Sequence, residues 1–195
     1  ADDVGGFESK GAGLSGGGIQ ATGNYPGKAR SIAEARQDYE KVLSLIPGSH
    51  RLNLHASYGE FDTPVDRDAI GIEHFQSWIE WAKEQKISLD FNSTFFSHEK
   101  AESGFTLSSK DPGIRDFWIE HVKRCREISI AIGDAQKNTC IHNLWIPDGA
   151  KDITIDRIGH RRLLTESLDK CYEKEYDPNL IKDAVESKLF GIGSE

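Results

Sequence analysis

The chain has 195 residues, enough for one domain with a sizeable core, and 37% hydrophobic and 29% charged residues are typical of a globular protein. Its formal net charge is −8, and the basic residues are scattered among acidic ones, so we expect no nucleic-acid partner. No stretch approaches the ~20 consecutive apolar residues of a membrane span, so we expect no membrane association either. The three cysteines form no Cys-x-x-Cys pair, which argues against a disulfide framework and favours the cytoplasm; two of them, on helical patterns, are predicted to be buried thiols.

The first thirty residues differ from the rest of the chain. They contain nine glycines and little apolar periodicity, which is typical of a disordered segment or a functional loop. Residues 11–16 match the dinucleotide-binding fingerprint formally, but no strand-like run precedes them and no helix opens after them, so we reject such a site. We therefore separate an irregular glycine-rich segment, 1–30, on the active-site side of the fold, from a regular region, 31–195.

Helical patterns alternate with strand-like runs throughout the regular region. Ser31 and Glu34 have the spacing of a capping box and predict the start of a helix that ends at a Pro-Gly pair. Apolar residues at helical spacing from Ile72 predict a second helix, Asp111 followed by proline predicts the start of a third, and Asp156 predicts the start of a fourth. The predicted strands are 52–56, 87–91, 139–146 and 183–189.

Four such alternations predict a parallel α/β fold with right-handed crossovers. An open doubly wound sheet and part of a (β/α)8 barrel both satisfy this pattern. Eight β/α units of the size seen here would exceed the ~250 residues of a typical barrel, and this chain supplies about half of the eight units. Because the chain also stops directly after a strand, which would leave an open edge, we expect residues 31–195 to form an incomplete barrel half of about four β/α units.

Functional side chains of barrels leave the carboxyl ends of the strands, and polar residues recur at those positions in this chain. In chain order, the strand ends carry His55, Asp90 and Asn92, Asn143 and Trp145, and finally Glu186 and Lys188. His55 is a candidate general acid or base because imidazole titrates near neutral pH. A histidine that is satisfied by hydrogen bonds at a strand end is nevertheless the commoner case.

The last strand carries the most informative pair. Glu186 and Lys188 are two residues apart, which places both side chains on one face of a strand. A carboxylate there can ligate a hard divalent cation, and an ammonium group can hold an oxygen of a bound ligand. Taken alone, the pair is more typical of a surface ion pair, which is the more frequent occurrence at strand ends.

Aromatic residues and further histidines complete the set of candidates. Trp145 and Phe96 could form an apolar wall for a ligand, although aromatic residues more often belong to the core. His98, His121 and His142 lack the spacing of metal ligands. His121 lies near the apolar stripe of the third helix, and we expect it to be structural.

Six strings of the chain are long and unusual enough to identify a family. They are 17–30 (GGIQATGNYPGKAR), 51–56 (RLNLHA), 89–92 (LDFN), 103–108 (SGFTLS), 145–149 (WIPDG) and 183–193 (DAVESKLFGIG). Together they resemble the L-rhamnose isomerase family. The resemblance runs in order from residue 2 to the last residue and covers the whole chain, but only about half of the family's usual length.

The resemblance implies a (β/α)8 barrel related to the xylose isomerases, a cytoplasmic homotetramer, and a divalent metal, usually Mn²⁺, with Zn²⁺ or Co²⁺ as alternatives. The family converts L-rhamnose to L-rhamnulose, the first step of rhamnose breakdown. By position in the motifs, Glu186 resembles a metal ligand and Lys188 the residue that contacts an oxygen near the reacting carbons. His55 resembles the histidine near the sugar ring oxygen, suited to ring opening, and Trp145 and Phe96 resemble walls of the pocket.

One departure from the family concerns the metal. The family's remaining ligands, Asp and His residues on later strands, would lie beyond Glu195. Such sites use about six donors, so one carboxylate cannot hold the cation tightly, and we expect this chain alone to be inactive.

Two other classes of function remain to be weighed. The first is a non-catalytic sugar-binding or assembly module built on a half barrel. The second is a nucleic-acid repair barrel, which shares the architecture and the use of metal. The acidic charge and the motif strings disfavour this second alternative.

Overall fold

The computed structural model describes residues 29, 31–96, 98–149 and 155–187. Within these ranges, four parallel strands alternate with four α-helices, and the strands pair in sequence order. The strands are β1 (Arg51–His55), β2 (Ser88–Asn92), β3 (Cys140–Ile146) and β4 (Ile181–Ser187). The helices are α1 (Ile32–Leu45), α2 (Gln76–Gln85), α3 (Pro112–Gln136) and α4 (Arg157–Cys171). The α/β alternation predicted from the sequence is confirmed.

Side-chain caps fix the starts of three helices as predicted. The hydroxyl of Ser31 accepts a hydrogen bond from the backbone N–H of Glu34 at 3.2 Å. The carboxylates of Asp111 and Asp156 accept from backbone N–H groups in the first turns of α3 and α4. Each cap satisfies a donor that has no partner within its helix, which is why these residue types begin helices.

The second helix and the last strand differ most from their predicted bounds, while the bounds of the first three strands differ by one residue. Ile72–Phe75 forms a 3-10 helix and α2 begins at Gln76, because the backbone N–H of His74 bonds to the carbonyl of Gly71 and tightens the first turn. β4 begins at Ile181, two residues before its predicted start, since its pairing with β3 extends back to that position. The predicted end of β4, at residues 188 and 189, lies outside the described residues.

The sheet has two chemically distinct faces. Because side chains alternate along a strand, neighbouring residues in register form rows that lie on one face. One row, on what we call the outer face, is Leu54, Phe91, His142 and Asp183. The next row, on what we call the inner face, is His55, Asn92, Asn143 and Ala184.

All four helices pack against the outer face. Leu54 and Phe91 lie in one core cluster with residues of α1, α2 and α3, and Leu144 lies in a second cluster with residues of α3 and α4. A doubly wound sheet carries helices on both faces, whereas a barrel carries them on one face with its strands in sequence order. The arrangement is therefore that of part of a (β/α)8 barrel.

Two further sequence expectations concern composition. Cys125 and Cys171 are buried free thiols on α3 and α4, as predicted, and Cys140 is a third buried thiol at the start of β3. Burial raises the pKa of each thiol to about 12. None of the helices in the described ranges is long and apolar enough to cross a membrane.

Candidate functional site

Three predicted site residues meet at the carboxyl end of the sheet. The ring centre of His55, the last residue of β1, is 5.7 Å from that of Phe96, which follows β2. The ring of Phe96 is in turn 6.2 Å from that of Trp145 on β3. His55 and Phe96 are buried, whereas Trp145 is partly exposed. Three neighbouring strands thus bring an imidazole and two aromatic rings together where barrels hold their active sites.

Glu186 lies beside this group on the inner face. Its backbone is in register with Trp145, and its side chain is exposed. Asn143 donates a hydrogen bond from Nδ2 to Oε2 of Glu186 at 2.7 Å. A donor to one oxygen of a carboxylate fixes the direction in which the other oxygen is presented, as partners of metal ligands commonly do.

Among the described residues, no group of three or more His, Cys, Asp or Glu side chains could hold a metal ion. Glu186 can therefore offer one carboxylate to a cation but cannot, with its described neighbours, complete a site. Lys188, predicted on the same face, lies outside the described residues, as do residues 1–28. Their predicted roles stay predictions.

Thr94 is a close neighbour of His55 that the sequence analysis missed. Its Oγ1 is 3.2 Å from Nδ1 of His55, and the carbonyl oxygen of Thr94 accepts a hydrogen bond from Nη1 of Arg67 at 2.5 Å. Both Thr94 and Arg67 are buried. Thr94 comes two residues after the end of β2, and its place after a strand end was the only signal that could have indicated it.

Asp148 joins the loops that follow β2 and β3. Its buried carboxylate accepts from the backbone N–H groups of Thr106 at 2.9 Å and Ser108 at 2.8 Å, and from both hydroxyls. Beside this contact, Gly104 has a φ of +78°, and a Cβ at that position would lie 2.8 Å from the carbonyl oxygen of Gly149. The loop after Trp145 is therefore locked to the loop after β2, and two of the strings on which the family resemblance rests meet here.

Asp90, which the strand-end pattern placed among the candidates, has a different position. It lies in the middle of β2, and its carboxylate bonds to the guanidinium of Arg51 at 2.6 and 2.8 Å. It also accepts from the backbone N–H of Ile141 at 2.7 Å. These contacts tie β1, β2 and β3 together, and we assign Asp90 to the framework rather than to the site.

The outer face contains a chain of hydrogen bonds with the residue types of a hydrolase triad. Ser93 Oγ is 2.7 Å from Nε2 of His142, whose Nδ1 is 2.8 Å from Oδ1 of Asp183. The side chains of Ser93 and His142 are fully buried, so a substrate has no access to the hydroxyl. We therefore regard this chain as structural.

Arg126 on α3 completes this buried network. Its guanidinium bonds to Asp183 at 3.0 Å and to the backbone carbonyls of Cys171 and Lys174. Burial alone would raise the pKa of Asp183, but the hydrogen bonds from His142 and Arg126 lower it. Burial lowers the pKa of His142. A neutral imidazole and an ion pair therefore link α3, α4, β3 and β4 behind the candidate site.

His121 and His98 are structural. Nδ1 of His121 donates to the carbonyl oxygen of Arg67 at 2.9 Å, and complete burial lowers the pKa of this imidazole to about 3. His98 is stacked on Phe117, with ring centres 5.0 Å apart, and its Nε2 is 2.9 Å from the carboxylate of Asp66. The structural role predicted for His121 is confirmed.

Comparison with known proteins places this geometry in one family. The model of the family described as L-rhamnose isomerase (RhaA) matches residues 1–195. An L-rhamnose isomerase of Rhodopirellula baltica is 57% identical over 194 residues, which are 100% of this chain and 45% of that protein. The L-rhamnose isomerases of Bacteroides thetaiotaomicron and Salmonella gallinarum are 58% and 55% identical, again over 100% of this chain and 46% of each relative. The chain thus spans somewhat less than half the length of the curated relatives it matches.

Proposed function

This chain belongs to the L-rhamnose isomerase family, and we propose that it forms part of a metal-dependent enzyme that converts L-rhamnose to L-rhamnulose. The observation that carries the proposal is the grouping of His55, Phe96, Trp145 and Glu186 at the carboxyl end of the inner face. Identity of 55 to 58% along the whole chain supports the same assignment.

Among the described residues at this end of the sheet, Glu186 is the one that fits a metal. Carboxylate oxygens suit hard divalent cations, and the amide of Asn143 holds the side chain in place. The metal is Mn²⁺, with Zn²⁺ or Co²⁺ as alternatives, and its further ligands come from the part of the relatives' length that this chain does not cover. When bound, the cation stabilises the negative charge that develops on two sugar oxygens while hydrogen moves between neighbouring carbons.

His55 opens the sugar ring. Opening requires that the proton of the anomeric hydroxyl leaves while the bond from the anomeric carbon to the ring oxygen breaks, and that the ring oxygen gains a proton. An imidazole can accept the first proton and return one to the ring oxygen, so that the reaction needs no other reagent.

The aromatic rings and Lys188 orient the opened sugar. Trp145 and Phe96 form an apolar wall that excludes water from the reacting atoms and strengthens electrostatic interactions there. The ammonium group of Lys188 holds an oxygen next to the reacting carbons. The full enzyme is a cytoplasmic homotetramer that acts on a small sugar in rhamnose catabolism, with no nucleic-acid or membrane partner.

The test uses the full-length protein, meaning the protein that carries this chain at the length of its relatives. It is stripped of metal with a chelator and assayed for L-rhamnulose with L-rhamnose as substrate, before and after addition of Mn²⁺. We expect product only with the cation. A matched control is Asp134→Asn, which alters an exposed ion pair with Lys137 and should leave turnover intact.

The absence of a three-residue metal group among the described residues favours one second candidate, a non-catalytic sugar-binding or assembly module. Calorimetric binding of L-rhamnose to the metal-free protein, without ketose formation at any metal concentration, would support that module and contradict the isomerase.

A further inference from the structure

The direction of the hydrogen bond between His55 and Thr94 can be deduced from the surroundings of Thr94. A hydroxyl group donates one hydrogen bond and can accept others. The Oγ1 of Thr94 donates to the backbone carbonyl oxygen of Asn92 at 3.4 Å. Only one assignment makes both contacts hydrogen bonds: Oγ1 donates to Asn92 and accepts from Nδ1 of His55 at 3.2 Å. In that assignment the hydrogen atom between the two side chains belongs to the imidazole.

The hydroxyl group is held in this position from several sides. Thr94 is fully buried, and its branched side chain has few rotamers. Its carbonyl oxygen bonds to the buried guanidinium of Arg67 at 2.5 Å, and the carbonyl oxygen of Arg67 accepts from His121 at 2.9 Å. The rings of Tyr58 and Phe96, with centres 5.4 and 5.7 Å from that of His55, confine the imidazole itself.

We infer that Thr94 is a positioning residue that fixes His55 as the Nδ1–H tautomer, so that Nε2 is the nitrogen that accepts the proton from the anomeric hydroxyl of the sugar. The inference rests on the isomerase function proposed above. A neutral imidazole carries one N–H, so a proton on Nδ1 leaves the lone pair on Nε2. Nε2 takes the hydroxyl proton as the carbonyl forms and the ring bond breaks, and the resulting imidazolium returns a proton to the ring oxygen.

Removal of the acceptor should reverse the preferred tautomer. With Thr94→Val, which has nearly the same shape, Nδ1–H would be buried without its acceptor, and the Nε2–H form would be favoured. The ring would then present an N–H where a lone pair is required. Thr94→Ser restores a hydroxyl and should restore the tautomer.

The experiment combines nitrogen NMR with kinetics on the full-length protein. Histidine is labelled with ¹⁵N, the protein is kept metal-free to avoid paramagnetic broadening, and the signals of His55 are assigned by their loss in His55→Asn. We expect a protonated Nδ1 and an unprotonated Nε2 in the parent and in Thr94→Ser, and the opposite pattern in Thr94→Val. With Mn²⁺, kcat should fall about tenfold in Thr94→Val, the effect of one hydrogen bond, and recover in Thr94→Ser.

Thr106→Val is the matched control. It removes a buried threonine hydroxyl from the same β2–α3 connection, at its contact with Asp148 instead of His55. We expect it to leave the nitrogen signals of His55 unchanged even if it weakens the loop. An unchanged tautomer in Thr94→Val, or the same change in Thr106→Val, would overturn the inference.

The outcomes also separate this inference from the proposed function. The NMR pattern needs no turnover, so a parent protein that makes no L-rhamnulose contradicts the function while the tautomer is still measured. An active parent whose turnover is unaffected by Thr94→Val contradicts the inference and leaves the isomerase assignment in place.

Discussion

The two faces of the sheet differ in whether their polar side chains have hydrogen-bond partners. On the outer face, Asp183 bonds both to His142 and to Arg126, a buried residue of α3. On the inner face, the buried Oδ1 atoms of Asn53 and Asn92 have no hydrogen-bond partner among the described residues. The polar side chains of this outer-face row are paired within the described residues, whereas the inner face retains unused hydrogen-bonding capacity.

Because of this difference, residues that stabilise the fold and residues of the candidate site alternate within single strands. His142 and Asn143 are neighbours on β3, yet His142 bonds to Asp183 in the buried network whereas Asn143 bonds to the carboxylate of Glu186. Because side chains alternate along a strand, contacts on the outer face can hold the strand in place while its inner face carries polar side chains. We therefore expect variants of the outer face to lose stability, and variants at the carboxyl end of the inner face, beyond the framework residue Asp90, to lose turnover.

A large loss of stability is expected from Asp183→Asn in the full-length protein. The substitution leaves the guanidinium of Arg126, only 5% exposed, without its charged partner. The loss of a partner that is itself 23% exposed should leave the buried guanidinium unpaired at a cost of about 3 kcal/mol, the lower end of the range for buried pairs, which urea unfolding would measure. The exposed pair of Asp134 and Lys137 is the control, since Asp134→Asn should cost at most about 0.5 kcal/mol. Equal losses in the two variants would contradict the assignment of stability to the outer face.

The pH dependence of stability should reveal the buried histidines. The pKa of His121 is lowered to about 3 by burial, whereas an unfolded histidine titrates near 6.5. Below about pH 6.5, His121 therefore binds a proton in the unfolded chain but not in the native state, and stability declines as the pH falls towards 3. This residue alone should lower the free energy of unfolding by about 2 kcal/mol between about pH 8 and about pH 5.

A histidine-to-asparagine variant isolates that contribution. His121→Asn can still donate to the carbonyl oxygen of Arg67 but cannot titrate. The free energies of unfolding of parent and variant at about pH 8 serve as the baseline. As the pH falls from there, the parent should lose more stability than the variant. A difference that stays constant from about pH 8 to about pH 5 would refute the role of His121 in the acid sensitivity.

Two of the four tryptophans, on opposite sides of the sheet, allow a direct contrast. Trp145→Ala removes a partly exposed wall of the candidate pocket, and we expect kcat/KM for L-rhamnose to fall about tenfold, near 1.4 kcal/mol, with little change in unfolding. Trp118→Ala, at a fully buried position on α3, should instead cost about 3–5 kcal/mol of stability. Stability losses of similar size in the two variants would show that Trp145 is a core residue.

The smallest effect is expected at the end of α2. Lys86 has a φ of 57°, a left-handed conformation that glycine adopts without strain. Lys86→Gly should raise the free energy of unfolding by about 0.5 kcal/mol without changing turnover. Lys83→Gly, inside the same helix, should lower it by about 1 kcal/mol. A destabilised Lys86→Gly variant would show that the side chain matters more there than the backbone.

The order and type of the elements could be predicted because their signals are local. The caps at Ser31, Asp111 and Asp156 bond to backbone groups within three residues, and apolar spacing marks the buried side of each helix. The first turn of α2 was misjudged because the contact between Gly71 and His74, a short-range polar bond, changed the helix type. Apolar periodicity carries no information on such a bond.

The contacts of the site could not be predicted in the same way. Thr94 is 39 residues from His55, and Asp148 is 40 residues from Ser108, so the pairs become neighbours only when strands align. Without its neighbours, His55 could not be distinguished from a structural histidine such as His121. The family resemblance suggested its role, and the structure adds that aromatic rings and a hydroxyl surround it.

The most direct test of the separation between the faces is Glu186→Gln in the full-length protein, with kcat/KM and unfolding measured on the same sample. Unfolding is followed with a chelator present, so that lost metal binding does not appear as lost stability. We predict that kcat/KM for L-rhamnose falls at least about 100-fold while the free energy of unfolding changes by less than about 1 kcal/mol, since the side chain is exposed. Near-normal turnover, or a loss of stability as large as that of Asp183→Asn, would contradict the account.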